Sequence, residues 1–303
     1  KIYPMAAGYS SMVDKEVTIF TFQFHKDWMD QFYPIMMGLI TNPSFSQADF
    51  DRVKNNQQAY VDQVIRASSD EEYSKKALED FLFRGTNYQH MIEGKSASVA
   101  ALTLEDVKNH YKNFFTRNNV MIGIAGNYPA SFIEKLKSDI QKLPDIEPAI
   151  PSAPVVKMLD GIDVEIISKE GAFGSAIFTG YPLSITRAND EFAALMVANS
   201  YLGEHRKSYS KLYKVIREER SMNYGDYSYI EWYHNGGGNM VPPSGVPRQS
   251  NYFSIWIRPV QIAKQLKMQY EELKDVRVGH AHFALRMALR EMDKMIKNGL
   301  SEE

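Results

Sequence analysis

The sequence of 303 residues contains no cysteine, which excludes disulfide bonds and thiolate metal sites and leaves the compartment open between periplasm and cytoplasm. It also lacks an apolar run of about 18 residues, so we predict no membrane span. The formal net charge is only −2, which gives no electrostatic reason to expect binding to nucleic acid or to an anionic membrane.

The short motifs of common hydrolases are absent as well. The seven histidines form neither a His-x-x-x-His pair on a predicted helix nor a His-Glu-x-x-His motif in either direction, and no Gly-x-Ser-x-Gly turn occurs. His280 and His282 follow a glycine in a polar segment, and we interpret them as surface residues. His205 follows Glu204 at a predicted helix end, where the helix dipole favours a cationic histidine. The sequence therefore encodes no complete metal site.

What the sequence contains is typical of a globular protein, with 44% hydrophobic and 24% charged residues. Hydrophobic residues at helical spacing and capping residues predict helices. Alternation of apolar and polar residues, or a composition rich in β-branched residues, predicts strands. The predicted helices cover 27–40, 46–67, 69–83, 103–115, 130–142, 190–202, 209–219 and 283–297. The predicted strands cover 17–24, 119–126 (buried), 164–168, 175–180, 224–232 and 252–258, and 235–249 is predicted to be a flexible loop.

Four prolines between Leu143 and Pro154 mark the best linker candidate. We therefore predict two domains, 1–147 and 148–303. In both halves a strand and a helix precede a similar run in the order Asn, apolar residue, Ser and acid, at 42–49 and at 298–303. The predicted fold class is α+β, with two related mixed domains, each an antiparallel-rich sheet packed with helices. Lys1 is not an initiator methionine, and we interpret the chain as a fragment cut at both ends.

Arg217 and Tyr224 are the first candidate site residues. Arg217 falls near the end of a predicted helix, and Tyr224 opens the strand that follows. A guanidinium and a phenol this close in sequence can converge on one carbonyl or carboxylate, because both donate to developing negative charge. The alternative is a surface cation beside a strand tyrosine whose hydroxyl is satisfied elsewhere.

Asp62 is the second candidate, a lone acid in the long predicted helix 46–67. It shares a helical face with Arg66, so the alternative is an exposed acid that pairs with this arginine four residues on.

Taken in order, several segments resemble the insulinase/pitrilysin family of zinc peptidases, which includes mitochondrial processing peptidase and its bacterial relatives. The matching segments are 13–20, Asn42-Pro-Ser-Phe-Ser-Gln-Ala-Asp-Phe-Asp-Arg-Val-Lys54, 94–107, 111–120, 125–128, Ala198-Asn-Ser-Tyr-Leu-Gly-Glu-His-Arg206 and Ile216-Arg-Glu-Glu-Arg-Ser-Met-Asn-Tyr-Gly225. The resemblance covers nearly the whole chain.

The resemblance implies two facing α+β domains that enclose a chamber. The family's catalytic zinc is held by an inverted His-x-x-Glu-His in the first domain and by a later Glu. The inverted motif is absent here, and the family's spacing would place it before Lys1. The later ligand position falls at or very near Asp62, within Tyr60–Gln63, and an aspartate side chain is one methylene shorter than glutamate. The chain as given is therefore expected not to hold catalytic zinc, the cofactor of the family.

The family also places an Arg and a Tyr in the second domain to bind the substrate backbone, and Arg217 and Tyr224 have that spacing. The implied function is a zinc-dependent endopeptidase of peptides or unfolded segments, an enzyme at full length but inactive as this fragment. A homo- or hetero-oligomer is compatible with the resemblance. Two alternatives stay open: a non-catalytic homologue that binds peptides or scaffolds a partner, and a plain structural α+β protein.

Overall fold

The computed structural model describes residues 2–155, 160–169, 175–232, 248–259 and 279–300. Its internal contacts divide the chain into two units. Unit 1 comprises Lys1–Val64 and Met91–Ser152, and unit 2 comprises Ile65–His90 and Ala153–Glu303. The second stretch of unit 1 ends close to the predicted linker. The domain bounds 1–147 and 148–303 stay a prediction.

Unit 1 begins with an antiparallel hairpin of two strands, which pair from Gly8 with Gln23 to Val13 with Thr18. Its elements are β1 (Gly8–Val13), β2 (Thr18–Gln23), α1 (Met29–Thr41), α2 (Gln47–Ala59), α4 (Ser96–Ala101), α5 (Leu104–Phe114) and α6 (Ala130–Ile140). Side chains from α1 and α6 form its core, with Phe22 and Phe24 packed against them. The buried members are Phe32, Tyr33, Met36, Met37, Phe132, Leu136, Ile140 and Leu143.

The long helix predicted over 46–67 starts as expected, because the Ser46 hydroxyl accepts a hydrogen bond from the backbone of Asp49. After α2 it widens into a π-helix, π1 (Tyr60–Ser68), a form that sequence periodicity does not reveal. The next helix, α3 (Asp70–Leu82), is capped in the same way by Ser69. Residues Ile65–His90, including α3, belong to unit 2.

Unit 2 is built on an antiparallel sheet of three strands in the order β3-β5-β4. The other elements of this unit, within its described residues, are helical. The elements are β3 (Ile177–Leu183), α7 (Phe192–Gly203), a second π-helix π2 (Tyr213–Glu218), β4 (Asn223–Tyr229), β5 (Asn251–Pro259) and α8 (Gly279–Asn298). Leu212, Ile216, Ile255 and Ile257 are fully buried at the centre of its core. The predicted loop 235–249 lies almost entirely outside the described residues.

Two predicted strands are wrong. Residues 120–126 follow a 3-10 turn (Arg117–Asn119) in irregular conformation, and the side chain of Met121 is 98% exposed. Residues 164–168 are likewise irregular, with Val164 75% and Ile166 88% exposed. Both segments have β-rich composition, but a strand also requires a neighbour for its backbone hydrogen bonds. Neither segment is paired in a sheet within the described chain.

Gly203 ends α7 where the helix approaches β4. A Cβ atom there would lie 2.7 Å from Cδ1 of Leu212 and 3.0 Å from the backbone nitrogen of Ser228. Because the strand backbone cannot yield easily, we expect Gly203→Ala to lower the free energy of unfolding by about 1–3 kcal/mol. Chemical denaturation measures the change. Gly8→Ala, at a glycine whose Cβ would meet nothing within 4 Å, is the control, and equal effects of the two substitutions would contradict the expectation.

The α+β class, with small antiparallel sheets packed against helices, is confirmed. Across the described residues, no helix combines the length and the apolar character that crossing a membrane requires.

Candidate functional site

Arg217 lies in the last turn of π2 in unit 2. The wide helical turn is visible in the hydrogen bond from the backbone of Glu219 to the carbonyl of Lys214, at 2.9 Å. Ile216, fully buried in the core, anchors this turn. The half-buried Arg217 places its guanidinium carbon 4.7 Å from the ring centroid of Tyr213. Single π-turns are costly in hydrogen bonding and occur frequently at functional sites.

Tyr224 follows Arg217 through a tight turn and is the second residue of β4. Ser221 in this turn has a φ of 49°, a left-handed conformation that is uncommon for residues other than glycine. The pairing of β4 with β5 is irregular between Asn223 and Asp226, so Tyr224 lies in a bulged part of the strand. Bulges are over-represented next to active sites. The convergence of Arg217 and Tyr224 on one ligand stays a prediction.

The loop between α7 and π2 contains a buried histidine, His205. Its side chain is 5% exposed, its Nδ1 lies 2.6 Å from the hydroxyl oxygen of Tyr229, and its ring stands 4.3 Å from that of Tyr227. Burial lowers its pKa to about 4, helped by the positive charges of Arg206 and Lys75 and opposed by Glu71. The imidazole is therefore neutral near pH 7, and desolvation outweighs any effect of the helix dipole on its charge.

Arg206 is a residue that the sequence reasoning missed as a site candidate. It is exposed, it has a φ of 57°, and it directly follows the buried His205. Burial raises the pKa of Tyr227, while the positive charges of Arg206 and Arg217 both act to lower it. Two arginines thus lie within electrostatic reach of one phenol in unit 2. A left-handed backbone is usually predicted from a glycine or an asparagine. Position 206 has neither, so the sequence does not predict this conformation.

Asp62 lies in π1 and belongs to unit 1, whereas Arg217 and Tyr224 belong to unit 2. Its Oδ2 accepts a hydrogen bond from the side-chain amide of Gln58 at 2.7 Å and another from the hydroxyl of Ser96 at 3.2 Å. Gln58 also donates to the Ser96 hydroxyl, at 2.6 Å. One carboxylate oxygen is therefore engaged by two protein donors.

The two side chains seen to bond to the Asp62 carboxylate are not zinc ligands. Gln58 and Ser96 supply an amide and a hydroxyl, whereas protein zinc is held by histidine, cysteine and carboxylate ligands. Within the described ranges, no group of three or more His, Cys, Asp or Glu residues could hold a metal ion. We therefore derive no chemical step through zinc.

A family profile described as the peptidase M16 inactive domain matches residues 101–303, about two thirds of the chain. The chain belongs to the peptidase M16 inactive-domain family. The resemblance to insulinase and pitrilysin is thereby confirmed at the level of the M16 family and fold, and peptidase activity is not.

Other M16 proteins show the same fold. The peptidase M16 inactive domain from Pseudomonas fluorescens superposes with a TM-score of 0.76 at 17% identity, over 99% of this chain and 65% of its own. Pitrilysin superposes with a TM-score of 0.59 at 10% identity, over 99% of this chain and 30% of its own. These likenesses show the fold alone.

A curated relative is the non-peptidase homolog YmxG of Helicobacter pylori. It is 23% identical over 222 residues, which cover 72% of this chain and 48% of the relative. The chain thus spans about half of the length of this relative, and about two thirds of the Pseudomonas structure.

Proposed function

We propose that this chain is part of a non-catalytic M16 homologue that binds peptides, with Arg217 and Tyr224 as contacts to the peptide backbone. The proposal is supported mainly by the hydrogen bonding of Asp62, the predicted metal ligand. Its Oδ2 accepts hydrogen bonds from Gln58 and Ser96. A Helicobacter pylori relative described as a non-peptidase homolog supports the same conclusion.

Peptide binding is supported by features of unit 2. The half-buried Arg217 lies on a π-turn fixed by the buried Ile216. A guanidinium held in this way can donate to peptide carbonyls, and its packing on Tyr213 lowers the entropy lost on binding. The positive charge of Arg206 adds to the attraction for carbonyl and carboxylate oxygens.

The rival function is zinc-dependent cleavage by the whole protein. The spacing of Arg217 and Tyr224 favours this alternative equally, because a peptidase also has to hold the substrate backbone. The two functions differ in whether the bound peptide is cut.

Arg217→Ala in the full-length protein is expected to weaken the binding of a fluorescently labelled unstructured peptide by about tenfold or more, since a hydrogen bond from a charged donor contributes about 1.5–3 kcal/mol. Tyr224→Phe, which removes a neutral donor, should weaken it less. Fluorescence anisotropy measures both. Arg220→Ala is the matched control, because Arg220 is an exposed arginine three residues away that bonds to Val215 and Glu219.

The same samples, incubated with added zinc, are then analysed by mass spectrometry. We expect the peptide to remain intact in the wild type and in every variant. Zinc-dependent cleavage by the wild type would overturn the non-catalytic function, and equal binding by wild type and Arg217→Ala would remove Arg217 from the peptide site.

A further inference from the structure

One face of α2 and π1 carries polar side chains that all bond to the segment 93–102 of unit 1. These side chains recur at helical spacing, so they form one stripe along the helix. We call this stripe the polar clamp; its members are Lys54, Gln57, Gln58 and Asp62.

The clamp holds both ends of α4. At the C-terminal end, the ammonium group of Lys54 donates to the carbonyl oxygens of Ala100 and Leu102, at 2.7 and 2.8 Å. These carbonyls lie at a helix terminus, where a cation is favoured and intrahelical partners are missing. At the N-terminal end, Gln58 and Asp62 both bond to the hydroxyl of Ser96.

A third contact fixes the chain just before α4. The side-chain amide of Gln57 donates to the carbonyl of Glu93 at 2.8 Å. The following Gly94 has a φ of 79°, and a Cβ atom there would lie 2.7 Å from Cγ2 of Val99. The chain therefore enters α4 through a turn that only glycine fits without strain.

Apolar burial contributes little to this arrangement. Val99 is the one buried residue that α4 contributes, and α2 contributes none. A helix of six residues is also too short to persist without tertiary contacts. The hydrogen bonds of the clamp therefore add polar contacts that hold α4 on the helix formed by α2 and π1, beside the buried Val99 and Val61.

We propose that the polar clamp holds α4 in place, and that the Asp62 carboxylate serves this clamp instead of a metal ion. The proposal deepens the non-catalytic function, because it assigns a structural role to the residue at the third zinc-ligand position. It explains why an aspartate suffices there: its Oδ2 needs to reach only Gln58, one helical turn away, and Ser96.

Hydrogen–deuterium exchange of the full-length protein tests the clamp. Asp62→Ala and Ser96→Ala are each expected to raise the exchange rate of the amides of 96–102 by about tenfold, the equivalent of one lost hydrogen bond of ordinary strength. The double variant should exchange little faster than either single variant, since both substitutions open the same set of bonds. Asp62→Asn, which keeps an amide oxygen as acceptor, should stay within about threefold of the wild type.

Asp51→Ala provides a matched control. Asp51 accepts a hydrogen bond from Gln47 at 2.8 Å on the same helix, with the same spacing of four residues, but this exposed pair bonds to neither Glu93 nor α4. It should leave exchange over 96–102 unchanged. Equal exchange in wild type, Asp62→Ala and Ser96→Ala would overturn the clamp, as would an Asp51→Ala effect as large as theirs.

Zinc content tests the second half of the proposal. The full-length wild type and Asp62→Asn are dialysed against zinc, and bound metal is measured by mass spectrometry. We expect equal zinc content, and a stoichiometric loss in Asp62→Asn would overturn the role assigned to Asp62. Peptide cleavage together with an intact clamp would overturn the proposed function alone, so the two failures can be told apart.

Discussion

Replacing Glu79 with leucine is expected to lower the free energy of unfolding by about 3–5 kcal/mol, because it leaves a buried arginine charge without its carboxylate. Glu79 on α3 is 2% exposed and forms an ion pair with Arg248, which is 4% exposed, and both belong to unit 2. The guanidinium of Arg248 also packs 4.6 Å from the ring centroid of Trp232, so it cannot turn to solvent without giving up this contact. Denaturation followed by tryptophan fluorescence measures the change.

Two further variants make the result interpretable. Glu79→Leu combined with Arg248→Met replaces both charges with apolar groups and should recover part of the loss, since the penalty comes from the uncompensated charge. Glu134→Gln breaks an exposed ion pair with Lys137 at 3.0 Å and should change stability by less than about 1 kcal/mol. A loss below 1 kcal/mol for Glu79→Leu would mean that the buried pair does not stabilise unit 2.

The buried charges of α3 illustrate what the sequence could not reveal. The side chains of Lys75, Lys76 and Glu79 are each less than 10% exposed, although charged residues are expected to face solvent. Lys75 has local ion partners in Glu71 and Glu72. Distant residues cover these charges as well: the ammonium of Lys75 lies 4.3 Å from the ring centroid of Trp256, and Glu79 forms an ion pair with Arg248. No local pattern records partners that are so far apart in the chain.

Helices were predictable where their ends carry local chemistry. Ser46, Ser69 and Thr103 each accept a hydrogen bond from the backbone three residues on, and the helices that they cap begin within a residue or two of the predicted positions. The strands predicted at 119–126 and 164–168 were wrong for a different reason, because a strand forms only where it pairs with a second strand, and the local sequence does not identify that partner.

The candidate site was predictable only in part. The helix that carries Arg217 and the strand that contains Tyr224 were predicted, but their π-turn and bulge were not, since a single widened turn hardly alters the hydrophobic period. The bonds from Gln58 and Ser96 to Asp62 were equally invisible. The sequence predicts Asp62 as a zinc ligand or as a partner of Arg66, whereas its hydrogen bond with Ser96 depends on tertiary packing.

Acidification is expected to destabilise this protein through His205. Its pKa in the folded state is about 4, against about 6.5 for an unperturbed histidine. Between these values the unfolded state binds more protons, so stability falls as the pH drops from about 6.5 to 4. A difference of about 2.5 pKa units corresponds to roughly 3 kcal/mol, which is fully present above pH 6.5 and fully lost below pH 4.

Carboxylates also titrate toward pH 4, so the test compares the wild type with His205→Gln, which cannot gain this proton. The free energy of unfolding, measured by urea denaturation between pH 7.5 and 4, should fall about 3 kcal/mol further in the wild type than in the variant. His110→Gln removes an exposed imidazole and should follow the wild type. If the free energy of unfolding fell equally with pH in wild type and His205→Gln, this would contradict the lowered pKa of His205. It would mean that the imidazole next to Tyr227 and Tyr229 can be protonated in the folded state at no cost in free energy. A buried imidazole is not expected to allow this, because burial disfavours its charged form.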